Sequence, residues 1–180
     1  MTETDATLLA ALRRGVPEAQ RRLYERYAPR LYGICLRYAR GEAEAQDWLQ
    51  ESWLRIFRDI GQFRGDGSLE GWLRRVTVRT ALGQLRKRRL EFPEILNEGR
   101  AAVAPSALDI LQAGDIAAVI RRLPSGYQAV FNLYAIEGYR HAEVAELLGI
   151  SEGTSRSQYA RARRLLQQQL SNLEKIRRYE

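Results

Sequence analysis

Apolar residues recur every three or four positions along most of the chain, which is the period of amphipathic helices rather than of strands. A first helix is predicted over residues 4–14, and Pro17 is suited to the first turn of a second one. The second helix contains Pro29, which we expect to kink it or split it in two. Its buried stripe is predicted to be Leu23, Tyr27, Leu31, Ile34, Cys35 and Tyr38. The pattern as a whole predicts an all-α protein.

The third predicted helix begins after Gly41 and has two faces. Its inner face is predicted to consist of Ala45, Trp48, Leu49, Ser52, Ile56 and Ile60. A second, mixed face is formed at spacings i, i+3, i+4 and i+7 by Asp47, Gln50, Glu51 and Leu54. Such a face is commonly just solvated, but its acidic character in a basic protein also fits docking on a basic protein partner. The residues alone leave both interpretations open.

A loop is predicted at residues 61–68, where three glycines occur within seven positions, and Ser68 is placed to cap a fourth helix. That helix is expected to bury Leu69, Trp72, Leu73, Val76 and Thr80. Its basic C-terminus complements the helix dipole, which explains part of its charge structurally. The dipole does not explain a stripe that extends further back, and this stripe indicates a phosphate-tracking surface. The stripe comprises Arg74, Arg75, Arg79 and Arg86.

The composition changes at residues 91–106, where prolines and small residues replace the helical period, and this segment is predicted to be a flexible linker. It separates an N-terminal domain, residues 1–90, from a C-terminal domain, residues 107–172, which a tail of residues 173–180 follows. The C-terminal domain is predicted to open with a helix over residues 107–123. Ser125 is expected to cap the next helix, which ends at Gly138. Core candidates of the opening helix are Leu108, Leu111, Ile116, Val119, Ile120 and Leu123.

Residues 139–166 read as two short helices joined by a tight turn. Gly149 suits a left-handed helix end, and Ser151 is a predicted N-cap for the second helix. That helix places Tyr159, Ala162 and Leu166 on one side. The opposite side is small, cationic and hydroxyl-bearing, with Arg156, Ser157, Ala160, Arg161 and Arg164. Such a face suits the DNA major groove, whereas the alternative is a solvated basic helix packed on a bundle.

Composition narrows the functional classes. The formal net charge of +7 favours a polyanionic partner, and a single cysteine allows no internal disulfide. The acidic N-terminus does not resemble a signal peptide and no apolar run is long enough to span a bilayer, so we expect a cytoplasmic protein without membrane insertion. The lone His141 is expected to be exposed, and no CxxC or phosphate-binding loop is present. We therefore expect no metal, no cofactor and no enzymatic activity.

Several motifs occur in a characteristic order. They are DWLQESWLRIF, QFRGDGSLEGWLRR, a basic helix end, a variable linker, and LPSGYQAVFNLYAIEGYRHAEVAELLGISEGTSRSQYARAR. In this order they resemble the extracytoplasmic-function (ECF) group of the bacterial sigma-70 family. The resemblance implies a region 2 helical bundle and a region 4 helix-turn-helix domain. It also implies binding to core RNA polymerase and promoter DNA, together with regulation by an anti-sigma factor.

The resemblance assigns roles to residues of this chain. It implies that the mixed face of the third helix binds the polymerase. The loop and the fourth helix are matched to −10 recognition, which involves Phe63, Arg64, Gly65, Asp66, Gly67, Ser68, Arg74, Arg75, Arg79 and Arg86. The helix from Glu152 is matched to −35 recognition through Arg156, Ser157, Ala160, Arg161, Arg163 and Arg164. Two positions depart from the family pattern, since many members carry Asn at the position of Arg79 and Asp at that of Gly83.

Two other classes of protein fit parts of the pattern. A dimeric helix-turn-helix regulator would bind a palindromic operator by itself, because half-sites mirror two-fold symmetry. An interaction module that binds RNA would use Trp72 and the arginine stripe, although no RNA-binding aromatic signature is present.

Overall fold

The computed structural model describes residues 5–91 and 116–178, and all regular elements in these ranges are helical. The all-α prediction is therefore confirmed for this part of the chain. The boundary between two compact units falls between Leu85 and Arg86, and we call them the N-terminal unit and the C-terminal unit. The predicted linker lies outside the described residues from position 92 onward, so the predicted domain limits stay a prediction.

The N-terminal unit begins with α1 (Asp5–Arg13), α2 (Pro17–Tyr38) and α3 (Glu42–Asp59). A short 3-10 turn (Ile60–Gln62) and a loop then lead to α4 (Leu69–Glu91), whose residues from Arg86 onward lie beyond the unit boundary. The C-terminal unit contains α5 (Ile116–Arg121), α6 (Ser125–Phe131) and a π-helical turn (Asn132–Ile136). It continues with α7 (His141–Leu148) and ends with α8 (Glu152–Arg178).

Helix α2 runs without interruption through Pro29, so of the two predicted outcomes, a kink or a split, the split does not occur. Proline removes one backbone hydrogen bond, to the carbonyl of Glu25, but the predicted apolar stripe continues on both sides of it. All six residues of that stripe are buried. Packing of the stripe therefore holds the helix together across the missing bond.

Cys35 is fully buried in this stripe, as the sequence predicts. Burial raises the pKa of its thiol to about 12, although a hydrogen bond with Ser52 acts in the opposite direction. A thiol that is neutral and out of contact with solvent is a poor nucleophile. Cys35 is therefore a core residue without chemical reactivity in the folded protein.

The predicted inner face of α3 is confirmed, because all six of its residues are buried. Trp53 is buried as well, although the helical spacing did not assign it to that face. Its ring lies between those of Tyr24 and Phe57, with centroid distances of 5.1 Å and 5.3 Å. A neighbouring helix thus supplies the cover that turns a flanking position of α3 into a core position.

Helix α4 buries a wider face than predicted. Leu69, Leu73 and Thr80 are buried as expected, but Trp72 and Val76 are only half-buried. The residues buried in addition are Thr77, Val78, Ala81 and Leu82. The buried positions of α4 therefore extend round more of the helix than a simple two-faced pattern predicts.

The core of the C-terminal unit joins its first and last helices. Val119, Ile120 and Leu123 pack against Ala162 and Leu166 of α8. This confirms the predicted core roles of the residues near the end of α5. Leu108, Leu111 and the side chain of Ile116 lie outside the part of the molecule that the structure describes.

Two predictions about the next helix are wrong. Helix α6 begins at Ser125 with Pro124 at the N-cap position and no side-chain cap, so Ser125 does not cap it. The α-helix also ends at Phe131 rather than continuing to Gly138. A π-helical turn follows, in which the Glu137 N–H donates to the Asn132 carbonyl at 2.9 Å. The wider turn brings both Asn132 and Leu133 fully inside the core, which accounts for the change of helix type.

Two glycines with equally open surroundings provide a test of backbone conformation. Gly83 lies inside α4 and Gly15 follows α1 at a φ of +71°, and an added Cβ would meet nothing within 4 Å at either position. We expect Gly83→Ala to raise the free energy of unfolding by about 0.5–1 kcal/mol, because alanine loses less backbone entropy in a helix. Gly15→Ala should lower it by roughly 1–2 kcal/mol, because a Cβ is strained at positive φ. Urea unfolding of both variants measures these changes, and equal effects would contradict the argument.

Candidate nucleic-acid interface

The C-terminal unit contains the predicted helix-turn-helix. Gly149 ends α7 in the left-handed conformation, with φ 66° and ψ 39°. The Ile150 N–H donates back to the Ala145 carbonyl at 3.0 Å and completes the turn. Ser151 then caps α8, since its Oγ accepts a hydrogen bond from the Thr154 N–H at 3.0 Å. The predicted roles of Gly149 and Ser151 are confirmed.

Helix α7 is fixed at its start by a carboxylate. Glu143 Oε2 accepts a hydrogen bond from the Arg140 backbone N–H at 2.8 Å, an arrangement typical of a capping box. This backbone bond, followed by the Arg140 side chain, holds the pKa of Glu143 below its usual value. The start of α7, which sets how the turn presents α8, therefore depends on an ionised Glu143.

His141 is buried, with 9% of its surface exposed, so the expectation of an exposed position is wrong. Its ring stacks on that of Tyr134 at a centroid distance of 4.1 Å and an interplanar angle of 12°. Its Nδ1 lies 2.9 Å from the Oγ of Ser155. The π-helical turn brings Tyr134 over a residue that sequence spacing places in an exposed first turn, and local pattern contains no signal for this contact.

Helix α8 has the two faces predicted for it. Ser155, Ala162 and Leu166 are buried and Tyr159 is half-buried, all on the side that packs against the rest of the unit. At about 100° per residue the opposite side is centred near Ala160 and Arg164. The structure leaves all six predicted −35 residues exposed, namely Arg156, Ser157, Ala160, Arg161, Arg163 and Arg164. We call this set the reading face.

Local contacts orient parts of the reading face. The Arg156 guanidinium forms an ion pair with Glu152 one turn earlier. Ser157 Oγ donates to the Thr154 carbonyl at 3.0 Å, and Arg161 Nη1 lies 3.5 Å from the hydroxyl of Tyr127 on α6. The methyl group of Ala160 leaves room for close approach. Guanidinium groups flanking small side chains can donate paired hydrogen bonds to guanine edges in the major groove.

The loop between α3 and α4 is anchored by the contacts of Phe63. The ring of Phe63 is only 4% exposed and packs on Trp72 at 5.8 Å, while its carbonyl accepts a hydrogen bond from Arg13 at 2.6 Å. Phe63 is therefore an anchor of the loop and not an exposed ring. Ser68 Oγ accepts the Gly71 N–H at 3.0 Å, which confirms its predicted capping role.

The remaining positions of this loop face solvent. Arg64, Asp66 and Ser68 are exposed, and so are Gly65 and Gly67, which adopt φ of +90° and +88°. Positive φ at both glycines gives the loop a conformation that residues with a Cβ rarely adopt. The loop thus presents backbone and short side chains at the surface next to the start of α4.

The arginine stripe of α4 is partly continuous. Arg75, Arg79 and Arg86 are exposed, and their spacing of four and seven residues places them along one side over about 17 Å. Arg74 beside them is half-buried. Leu82 lies between Arg79 and Arg86 on the same side and is buried. The stripe is therefore interrupted, with Arg75 and Arg79 as a pair and Arg86 apart from them.

The mixed face of α3 has a different character. Asp47 and Gln50 are exposed, and Leu54 is 69% exposed, which is unusual for a large apolar side chain. Glu51 is half-buried and pairs with Arg55 at 3.0 Å. An apolar residue surrounded by acidic and amide groups is typical of a protein-binding surface rather than a DNA-binding one. We call these four residues the docking face.

Neither a metal-binding cluster nor a membrane-spanning helix is found within residues 5–91 and 116–178. These residues contain no group of three or more histidine, cysteine or acidic side chains that could hold a metal ion. Over the same ranges, none of the helices combines the length and apolar character needed to cross a membrane.

A helix-turn-helix with an exposed cationic face, together with a second helical unit that exposes an acidic and apolar surface, is typical of a DNA-binding transcription factor. The comparisons with known proteins are more specific. Sigma-70 region 2 matches residues 23–91, and Sigma-70 region 4 matches residues 113–166. The ECF RNA polymerase sigma factor SigM of Mycobacterium tuberculosis is 32% identical over 170 residues, covering 94% of this chain and 86% of SigM. The RNA polymerase sigma-H factor of Pseudomonas aeruginosa is 26% identical, covering 95% of this chain and 96% of that protein.

Solved structures show the same fold. The sigma factor RpoE of Bartonella quintana, solved with the anti-sigma factor NepR, has a TM-score of 0.56 at 21% identity, covering 84% of this chain and 96% of RpoE. CnrH, solved with the cytosolic domain of CnrY, has a TM-score of 0.57 at 22% identity, covering 94% of this chain and 99% of CnrH. The chain belongs to the extracytoplasmic-function group of sigma-70 RNA polymerase sigma factors. It directs core polymerase to promoters, and the alternative of a dimeric regulator acting alone is not supported.

The cap of α7 predicts a pH dependence. Because the folded-state pKa of Glu143 is lowered, its contribution to stability is complete above the unfolded pKa of about 4.3 and is lost as pH falls through the folded value. We expect Glu143→Gln to be less stable than the native chain at about pH 7, with the gap closing towards about pH 3. Urea midpoints at the two pH values measure this. Glu146→Gln, an exposed change on the same helix outside the cap, is the control, and a gap independent of pH would refute the role of the charge.

Proposed function

We propose that this sigma factor recognises the −35 element with the reading face of α8 and the −10 element with the loop before α4. The docking face of α3 binds core RNA polymerase. The observation that carries the proposal is the exposure of all six reading-face residues on one side of α8, while the other side is buried in the helix-turn-helix. The polymerase performs the covalent chemistry, and this chain acts as a non-enzymatic factor in the cytoplasm.

Reading of the −35 element is divided between two kinds of contact. Arg156 and Arg161 are the base readers, because a guanidinium can donate two hydrogen bonds to the O6 and N7 of guanine. Ser157 and Ala160 are short enough to let the helix backbone approach the groove. Arg163 and Arg164 contact phosphates, which adds affinity without sequence preference.

Recognition of the −10 element is assigned to the loop and the start of α4. Extracting a base from the duplex costs a few kcal/mol, which contacts to the extracted base must recover. Five exposed positions supply a guanidinium, backbone groups and short polar side chains for this purpose, namely Arg64, Gly65, Asp66, Gly67 and Ser68. Phe63 contributes indirectly, because its packing on Trp72 anchors the loop.

The arginines of α4 supply the electrostatic part of −10 binding. Arg74 and Arg75 lie in the second turn of α4, Arg79 follows one turn later, and Arg86 lies further toward the helix end. Arg79 stands where many members of the family carry Asn. A long cationic group replaces a short amide there, so the −10 preference of this chain differs from the commoner one.

Polymerase docking uses an exposed surface of α3 that combines acidic and apolar groups. Asp47 and Glu51 complement a basic partner helix, and Leu54 supplies an apolar anchor at the centre of the contact. Glu51 and Arg55 form an ion pair in the free protein. When polymerase binds, Glu51 must therefore break this ion pair or interact with Arg55 and the partner together.

We also propose control by an anti-sigma factor. RpoE and CnrH were both solved with partner proteins, and RpoE's is an anti-sigma factor. An inhibitor that covers the docking face would compete directly with core polymerase, because the same exposed Leu54 would be buried in either complex.

Substitution of Arg161 tests the −35 assignment. Core polymerase with the native chain should transcribe from a promoter fragment selected from random DNA, which core polymerase alone ignores. Arg161→Ala should weaken binding by roughly 1–3 kcal/mol on that fragment and by much less when the −35 element is scrambled. Arg164→Ala is the matched control and should weaken binding to both fragments about equally, with a shallower salt dependence.

Three results would contradict the −35 assignment. A uniform loss with Arg161→Ala would make that residue a phosphate contact. Absence of any fragment that the native chain activates, together with dimeric binding to a palindrome by the protein alone, would overturn the sigma-factor mechanism. Unchanged binding by both variants would place −35 recognition outside α8.

Charge reversal on α3 tests the docking face. We expect Asp47→Lys with Glu51→Lys to weaken binding to core polymerase about tenfold or more, because buried interfacial charges become repulsive. The matched control is Glu18→Lys with Glu25→Lys, which also reverses two acidic residues next to an arginine, here Arg21 on α2. Fluorescence titration of labelled polymerase measures the affinities.

The control also separates docking from folding. Both double variants create like-charge neighbours along a helix, so both should lose a similar, small amount of stability. Equal loss of polymerase affinity in the two variants would mean that net charge alone is responsible. Retained affinity in the α3 variant, with its helical content unchanged, would exclude the docking face.

A further inference from the structure

The only histidine of the chain occupies the junction between the two helices of the helix-turn-helix. Its Nδ1 lies 2.9 Å from Ser155 Oγ, and Ser155 is fully buried. The separation is that of a good hydrogen bond, with either atom as the donor. This is a direct polar contact between α7 and α8, made by two buried side chains.

Contacts with two aromatic rings fix the orientation of the His141 ring. The His141 ring is stacked on Tyr134 from the π-helical turn, and the edge of Tyr159 of α8 lies 5.9 Å from its centroid. Tyr134 and Tyr159 also contact each other at 4.6 Å. Contacts with two other elements, the π-helical turn and α8, therefore fix the ring plane of His141, and its Nδ1 faces Ser155.

The position of Ser155 gives the bond a consequence for DNA recognition. Ser155 is on the buried side of α8 in the turn that carries Arg156 and Ser157 on the reading face. Apolar contacts allow a helix to rotate slightly about its axis, because they have little directional preference. A hydrogen bond has a preferred distance and angle and so resists that rotation.

Small rotations matter for base reading. Side-chain atoms lie about 5–6 Å from a helix axis, so a rotation of about 15° moves them by roughly 1.5 Å. Productive polar contacts tolerate errors of about 0.5 Å. An unlocked α8 would keep its charge against the phosphates but would misplace the groups that read bases.

We propose that His141 and Ser155 form a polar lock that sets the rotation of α8, which makes His141 a positioning residue for −35 discrimination. This proposal rests on the assignment of −35 reading to α8. It predicts loss of discrimination between promoter sequences with little loss of overall DNA affinity. A hydrogen bond that merely satisfies two buried polar groups would instead change stability alone.

Four single variants of the full chain and the double variant His141→Phe with Ser155→Ala, each assembled with core polymerase, test the lock. His141→Phe keeps a stacked ring without the polar group, and Ser155→Ala removes the partner with almost no change of volume. His141→Asn retains a polar group near the Nδ1 position. Val144→Ala is the matched control, since it removes buried apolar volume from the same helix without touching the bond.

The measured quantity is the ratio of holoenzyme affinities for the selected promoter fragment and for the same fragment with a scrambled −35 element. We expect His141→Phe and Ser155→Ala each to lower this ratio at least about fivefold, the lower end of what one bidentate base contact supplies. The double variant should lose no more than either single one, because both remove the same bond. His141→Asn should retain most of this ratio. Val144→Ala should retain all of it when it is measured below the reduced melting temperature of that variant.

The outcomes distinguish the polar lock from the assignment of −35 reading to α8, on which the lock rests. An unchanged ratio in folded Ser155→Ala, or an equal loss in Val144→Ala, would overturn the lock while leaving −35 reading by α8 intact. If the native chain shows no preference for the intact −35 element, the assignment of α8 fails, and the lock with it. Should His141→Phe fail to fold, Ser155→Ala carries the decision by itself.

Discussion

The interaction on which the C-terminal unit depends is the burial of one side of α8 against α5, α6 and α7. Ala162 and Leu166 hold the middle of this helix to the core, while Ser155 and Tyr159 hold its first turns to α7 and the π-helical turn. Because one side is covered, the other is presented as a single cationic surface. The promoter-reading role proposed for α8 thus depends on how the helix is packed, because that packing decides which way its arginines face.

The N-terminal unit separates its tasks in a similar way. Burial of the inner face of α3 turns Asp47, Gln50 and Leu54 outward, where they form a surface suited to a protein. Phe63 and Trp72 pack beneath the glycine loop and hold its polar positions at the surface. One unit therefore carries the surfaces proposed for protein binding and for nucleic-acid binding on different elements. This arrangement suits a factor that must bind polymerase and DNA at the same time.

Much of the fold could be predicted from local pattern, because the helices follow apolar periods and end at residues with strong backbone preferences. Gly149 and Ser151 are good examples, since the chemistry of the turn is contained in the residues themselves. The failures share a different cause. The burial of Trp53 and His141 depends on rings supplied by other elements, and no local period reports that cover.

The sequence by itself determined the helical class, the two-faced α8 and the identity of the exposed cationic and acidic groups, because these follow from side-chain chemistry and from spacing along one helix. Tertiary structure alone decided that Pro29 does not split α2, that α6 passes into a π-helical turn, and that His141 is placed against Ser155. Each of these results reflects packing between elements. Such packing overrides a local preference when burial of apolar surface stabilises the fold by more than the strain on a single backbone or side-chain group destabilises it.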